Sequence, residues 1–171
     1  MTEQQEASED AVMTRIGQAV ILLHAGDREE ARNRLGEIWS EIGTEGDSLH
    51  RCTLAHYLAD AQDDPAEELA WDLRALSAAH ADGSGGSGDG AGPPAAVRVF
   101  YPSLHLSLAA DYVKLRRPEA ARIHLARARA ATGALSDDGY GNGVRAAIAR
   151  LERRLAAEPG EGPRPFPEQN Q

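Results

Sequence analysis

The sequence predicts an all-α fold: three antiparallel helix hairpins stacked as an array and closed by a C-terminal capping helix. Three observations predict it. Alanine and leucine supply most of the apolar content, with only eight aromatics in 171 residues and no β-branched runs, a composition that suits close helix packing better than a sheet. Three segments share a short polar turn followed by apolar residues at i, i+4 and i+7: "AGDREEARNRLGEI" (25–38), "DDPAEELAWDLRAL" (63–76) and "RRPEAARIHLARA" (116–128). Their anchors are 38 and then 52 residues apart, and the excess matches the 14 residues of "ADGSGGSGDGAGPP" (81–94). That glycine- and serine-rich stretch cannot hold regular structure, so it reads as a loop inserted into a repeat.

Each element follows from this pattern. The second helices carry the stripes Ala31/Leu35/Ile38, Leu69/Leu73/Leu76 and Ala121/Leu125/Ala128, each on one helical face. Asp27, Asp64 and Pro118 start them, by a capping oxygen or a pre-set φ. The first helices contain "RIGQAVILLHAG" (15–26), "HRCTLAHYLAD" (50–60) and "PSLHLSLAADYVKL" (102–115). Ala19, Ala55 and Ala109 align in them as the small residues that let two helix backbones approach. After "SDDGYGNG" (136–143), Val144, Ile148, Leu151 and Leu155 share one face with arginines elsewhere, as a terminal capping helix requires. The expected boundaries are a flexible tail over 1–10, one helical-repeat domain over 11–157 and a disordered tail over 158–171.

Two of the repeats resemble the tetratricopeptide repeat family. "SLAADYVKLRRPEAARIHLARA" carries Leu108, Ala109, Tyr112, Ala121 and Ala128 in the family's order, and "QAVILLHAGDREEARNRL" carries Ala19, Leu22, Gly26, Asp27 and Ala31. The resemblance spans residues 13 to 132, with a period longer than the family's usual ~34 residues and a second turn about two residues longer than the others. It implies a right-handed superhelix whose concave face is lined by the first helix of each hairpin. Carried over through the small-residue alignment, the lining residues are Ile16, Val20 and Leu23; Cys52, His56 and Ala59; and Leu106, Ala110 and Val113, with Lys114 the one cation near them. The expected groove is mainly apolar and suited to an extended or helical peptide.

Candidate chemistry centres on "HRCTLAHYLAD". On a helix Cys52 and His56 are neighbours one turn apart, whereas His50 points well away from both. One helix then offers two ligands, short of the four of a structural zinc site or the three of a catalytic one. Asp60 extends the row to C-x₃-H-x₃-D, but side chains on one helix face point outward in parallel and do not converge on a substrate atom. "GSGGSG" (83–88) matches G-x-G-x-x-G without the strand and helix that a phosphate cradle needs. No metal, cofactor or enzymatic activity is expected.

The net charge is −9, with 19 acids against 6 bases over 1–92 and 6 against 10 over 101–158. This asymmetry is compatible with head-to-tail self-association or a partner of mixed charge. Arginines 122, 127, 129, 145, 150, 153 and 154 have few aromatics among them, and the acidic whole opposes a nucleic-acid backbone. Cys52 is the only cysteine, so no intrachain disulfide forms. The N-terminus is acidic and polar, unlike a leader, and no apolar run reaches membrane-spanning length. Seventeen of the 18 bases are arginine, a bias of GC-rich bacterial genomes. The expectation is a cytoplasmic, non-enzymatic scaffold that binds a protein or peptide and is capable of forming a homo-oligomer; the alternatives are a self-associating structural or regulatory module and a weak nucleic-acid binder through the arginine-rich C-terminal helices.

Overall fold

In the computed structural model, which describes residues 3–81 and 95–157 apart from the side chains of 5–10, every regular element is helical. Helix α1 spans Glu3–His24, α2 Arg28–Ile42, α3 Ser48–Asp60 and α4 Pro65–Ala81; a single turn, α5, spans Ala95–Arg98; α6 spans Tyr101–Lys114, α7 Pro118–Ala130 and α8 Gly139–Ala157. A 3₁₀ turn over Thr132–Ala134 links α7 to α8. The tail over 158–171 and all but Ala81 of the loop over 81–94 lie outside the described residues. Among those described, no helix is long and apolar enough to cross a membrane.

Helix α1 begins eight residues ahead of the expected domain start. Glutamate, glutamine and alanine, the residues that fill this end, are strong helix formers, and acids at a helix N-terminus complement the dipole. Ile16, Ala19 and Leu23 form its buried side. The chain leaves α1 through Gly26, at φ 93°, a left-handed conformation that glycine adopts without steric cost. Asp27 then caps α2, its side chain accepting from the Glu30 amide, and Ala31, Leu35 and Ile38 are buried as expected.

The turn from α6 to α7 repeats this device. Gly26 and Asp27 donate to the carbonyls of Leu23 and Leu22; Arg116 and Arg117 donate to those of Val113 and Tyr112. Arg116 occupies the left-handed position at φ 57°, and Pro118 opens α7. The turn between α3 and α4 is built differently. Ala61 and Gln62 donate to Tyr57 and Ala59, no residue there has positive φ, and α2 supplies the clamp. Arg32 donates to the Ala61 carbonyl at 3.1 Å and pairs with Asp63 at 2.9 Å, while Arg28 donates to the Gln62 carbonyl at 2.8 Å. Two arginines thus satisfy the carbonyls of the turn just past α3, acceptors that otherwise need solvent.

The packing is local along the chain. Helix α1 packs on α2, α3 on α4 and α6 on α7; α2 meets α3, α4 meets α6, and α8 closes on α7 and α6. Ala19, Ala55 and Ala109 have no exposed surface, in keeping with their expected role at close backbone approaches. Helix α3 is covered on two sides, with Cys52, Leu54, Ala55, Leu58 and Ala59 all buried. Trp39 of α2 and Trp71 of α4 meet edge to face at 5.2 Å, a favoured aromatic geometry.

Two elements differ from the sequence reading. In α4 the expected stripe is out of register: Leu73 is 40% exposed, and the buried face is Asp72, Ala75, Ala78 and Ala79. The leucines announce an apolar stripe, but small residues fit the tight contact with α3, so the alanine face turns inward. Helix α8 starts at Gly139, inside what reads as a loop, because Asp138 caps it by accepting from the Gly141 amide at 2.7 Å. Val144, Ile148 and Leu155 then face inward and Leu151 is half-buried.

Candidate functional site

Three helices bring six ionisable side chains to one junction. Helix α3 contributes His56 and Asp60, one turn apart; α4 contributes Glu68 and Asp72, also one turn apart; α6 contributes Asp111 and Lys114. Residues at i, i+3 or i+4 share a helical face, so each helix presents its pair together. His56 Nδ1 lies 3.3 Å from Asp72 Oδ1, and Lys114 Nζ donates to both Glu68 oxygens at 2.8 Å.

Asp72, the partner of His56, and Asp111 are the buried members of the junction, 2% and 1% exposed. Burial first, then hydrogen bonding to Asp72 and the charges of Asp72 and Glu68, push the Asp111 carboxyl up to about 10. Two carboxylates in one low-dielectric site do not both ionise, so Asp111 keeps its proton at neutral pH and shares it with its carboxylate neighbours. No N–H or hydroxyl donor faces its buried Oδ2, so the shared proton is what ties Asp111 to Asp72 and Glu68. Burial works against charge on His56, but the Asp72 hydrogen bond and the charges of Asp72 and Asp60 outweigh it and hold its pKa above the ordinary imidazole value. Burial also raises Asp60, opposed by His56 and Lys114 and reinforced by Asp72 and Glu68. Burial raises the Tyr57 hydroxyl, helped by Asp60 and by Tyr140 of α8, which puts residues of α3 and α8 within electrostatic reach of each other.

The Cys52–His56–Asp60 row does not operate as a unit. Cys52 has no exposed surface, and burial followed by the charge of Asp72 pushes its thiol up to about 12. It therefore lacks the thiolate that a nucleophile or metal ligand requires. His56 turns its Nδ1 to Asp72 on the next helix instead. Among the described residues, no group of three His, Cys, Asp or Glu is disposed to hold a metal ion. A second imidazole contact, His105 Nδ1 to His124 Nδ1 at 3.1 Å, is a packing feature. Burial and the neighbouring charges lower both rings, His105 to about 4, and Tyr112 stacks on His124.

The residues expected to line the groove divide into two sets. Ile16, Leu23, Cys52 and Ala59 are core residues, 8% exposed or less, and do not face a partner. The small-residue alignment finds where helix backbones meet, and side chains one turn from such a residue share its buried face. Val20, His56, Leu106, Ala110 and Val113 are half-buried, and Lys114 is exposed. Of these, the junction unites His56 with Lys114. Between them lies an acidic floor where an apolar lining is expected. Glu68, Asp72 and Asp111 escape the sequence reading, although "LAWDLRAL" and "SLAADYVKL" each hold a lone aspartate inside an apolar run. That pattern signals a charge carried into the core.

Elsewhere, a polar hollow of about 640 Å³ lies between α1 and α2, lined by Arg15, Gln18, Glu30, Asn33, Arg34, Glu37 and Ile38. Its cations are already engaged, Arg15 by Glu41 and Arg34 by Glu30. The α3–α4–α6 junction is the stronger candidate, because perturbed ionisable groups converge there from separate helices. No protein-family model, curated protein or solved structure matches the chain.

Proposed function

We propose that the protein is a non-enzymatic interaction scaffold: a tetratricopeptide-like array of three helix hairpins and a cap, binding a protein or peptide segment along the face lined by α1, α3 and α6, in a bacterial cytoplasm. The observation that carries this reading is the recurrence of one turn. The Leu22/Leu23 carbonyls and the Tyr112/Val113 carbonyls accept the same pair of amide bonds, with Gly26 and Arg116 left-handed at the equivalent position of each pair. The fully buried Ala19, Ala55 and Ala109 and chain-local packing support it, since repeat arrays bury their cores between sequence neighbours. The binding face then has half-buried Val20, Leu106, Ala110 and Val113 beside the His56–Lys114 junction.

Selection from a displayed peptide library tests the reading. Peptides enriched on the wild-type chain should be lost on Val20→Glu and Ala110→Glu variants whose helical circular dichroism is intact. Equal enrichment on folded variants would place binding elsewhere. A second reading, self-association through α1, is favoured by Met13 and Ile21, which are 40% and 69% exposed and two turns apart on one outer face. Light scattering over a concentration series decides it: a mass that stays monomeric removes this reading.

A further inference from the structure

We propose that the exposed face of α7 is a docking surface for the chain's own C-terminal segment, residues 158–171, with Phe166 seated on Ile123 among arginines. The surface lies on the second helix of a hairpin, away from the face lined by α1, α3 and α6. The inference therefore goes beyond the scaffold reading and does not depend on it.

At about 100° per residue, Ile123, Ala126, Arg127 and Ala130 lie opposite the buried Ala121, Leu125 and Ala128. All four are exposed, Ile123 by 54%. Arg116 stands at the foot of this strip and Arg122 on its α8 side, with Glu119 the one acid of α7. Among the described residues Arg116, Arg122 and Arg127 form no ion pair, whereas Arg129 pairs with Glu152 of α8. A single exposed apolar residue is ordinary on a protein surface. Here it sits among cations that hold no carboxylate.

The chain leaves α8 beside this face, because Arg122 donates to the Leu155 carbonyl at 3.5 Å. The residues that follow carry Glu158, Glu161 and Glu168 against Arg164, a charge opposite to that of the strip. Phe166 is their one aromatic and stands between Pro165 and Pro167. Prolines bias a segment to the polyproline II helix, so less freedom is lost when it docks. Three residues per turn put Pro163 and Phe166 on one side, roughly 9 Å apart. Ile123 and Ala130 are two helical turns apart, about 10 Å, so the apolar spacings match. Phe166 stands nine residues beyond Ala157, a reach of about 28 Å. Helix α7 is about 20 Å long, so the segment reaches Ile123 with length to spare.

Photo-crosslinking of the full chain tests this, with p-benzoylphenylalanine in place of Phe166 and the products mapped by mass spectrometry. The expected product is a crosslink within one molecule to the α7 peptide that holds Ile123. Ile123→Asp and Arg127→Glu should each lose it, with melting temperatures showing that both variants are folded. Combining Arg127→Glu with Glu161→Arg and Glu168→Arg should restore it. Salt at about 1 M, where charges are screened within ~3 Å, should reduce it. Ile21→Asp, an equal change at an exposed site on α1, should leave it intact. Crosslinks to other helices, crosslinks spread over the whole chain, or a yield indifferent to Ile123→Asp would overturn the docking surface. A covalent dimer in place of the internal product would also overturn it, by making a second copy the occupant. Peptide selection on the Val20→Glu and Ala110→Glu variants reads the other face, so either proposal can fail alone.

Discussion

Asp111 sets the sign of one residue-level prediction. An unfolded aspartate titrates near pH ~3.9, whereas burial against Asp72 and Glu68 holds Asp111 protonated up to about 10. Between those values the folded chain binds one proton more than the unfolded chain, so its contribution to stability falls steadily as pH rises through that window. Asp111→Asn keeps a neutral group of the same shape and removes this proton uptake. The variant should melt above wild type at about pH 9, and the advantage should shrink or reverse near pH ~4. A variant that melts lower at both pH values would contradict the protonated state. His56 acts in the same direction: its raised pKa gives stability that is full below the ordinary imidazole value and is lost as pH rises through the folded one. Glu41 and Asp63 act oppositely, their carboxyls lowered by Arg15 and by Arg32 with Arg28, but both are fully exposed and weigh little. Cys52 gives a companion readout. Buried and pushed up to about 12, its thiol should resist iodoacetamide in the native protein and react only as the chain unfolds; prompt native labelling would show that α3 is not packed as described.

At the scale of elements, two glycines of α8 are predicted to respond oppositely to the same substitution. A Cβ on Gly143 would meet nothing within 4 Å, so Gly143→Ala should stabilise by about 0.5–1 kcal/mol through helix propensity and lost unfolded-state freedom. A Cβ on Gly141 would run into the Ser136 carbonyl, part of the turn that Arg145 holds through Leu135 and Ser136. Gly141→Ala should therefore destabilise by about 1–3 kcal/mol. Urea melts of the two variants make the comparison, and a stabilised Gly141→Ala would show that this turn is not built as described. The contrast marks how far sequence reading reaches. Helices α2 and α7 were legible because their buried faces are the apolar ones, Ala31/Leu35/Ile38 and Ala121/Leu125/Ala128. Helix α4 misleads because its buried face, Asp72/Ala75/Ala78/Ala79, is less hydrophobic than the leucines beside it; fit against α3 outweighs hydrophobicity. The site was half legible for a related reason. His56 and Lys114 stand on the first-helix alignment, but Asp72 and Asp111 acquire their meaning only from each other, across a contact between α4 and α6 that no local pattern encodes.

At the scale of the whole molecule, the order of contacts predicts how the protein comes apart. The extensive contacts run between elements adjacent or next-but-one along the chain: α1 to α2 and α3, α3 to α4, α4 to α6, α6 to α7 and α8. The buried clusters follow the same line, one joining α1, α2 and α3, one joining α3, α4, α5 and α6, and one joining α6, α7 and α8. In such an array stability is close to a sum of local and nearest-neighbour parts, and opening free energies vary along the chain. The middle helices α3, α4 and α6, covered from both sides, should show the slowest amide exchange, and the outer helices α1 and α8 the fastest. Removing α8 by truncation after Ser136 uncovers Ala121, Leu125 and Ala128 of α7 and the side of α6 that they pack against. Exchange should then accelerate in α7 first and α6 next, while α1 and α2, which share no cluster with α8, keep their protection. A protein with one undivided core would instead lose protection in every helix together. Hydrogen exchange read by mass spectrometry on peptides from each helix separates these outcomes. Uniform acceleration across all helices would remove the proposed linear array, and with it the physical basis for the proposed binding face.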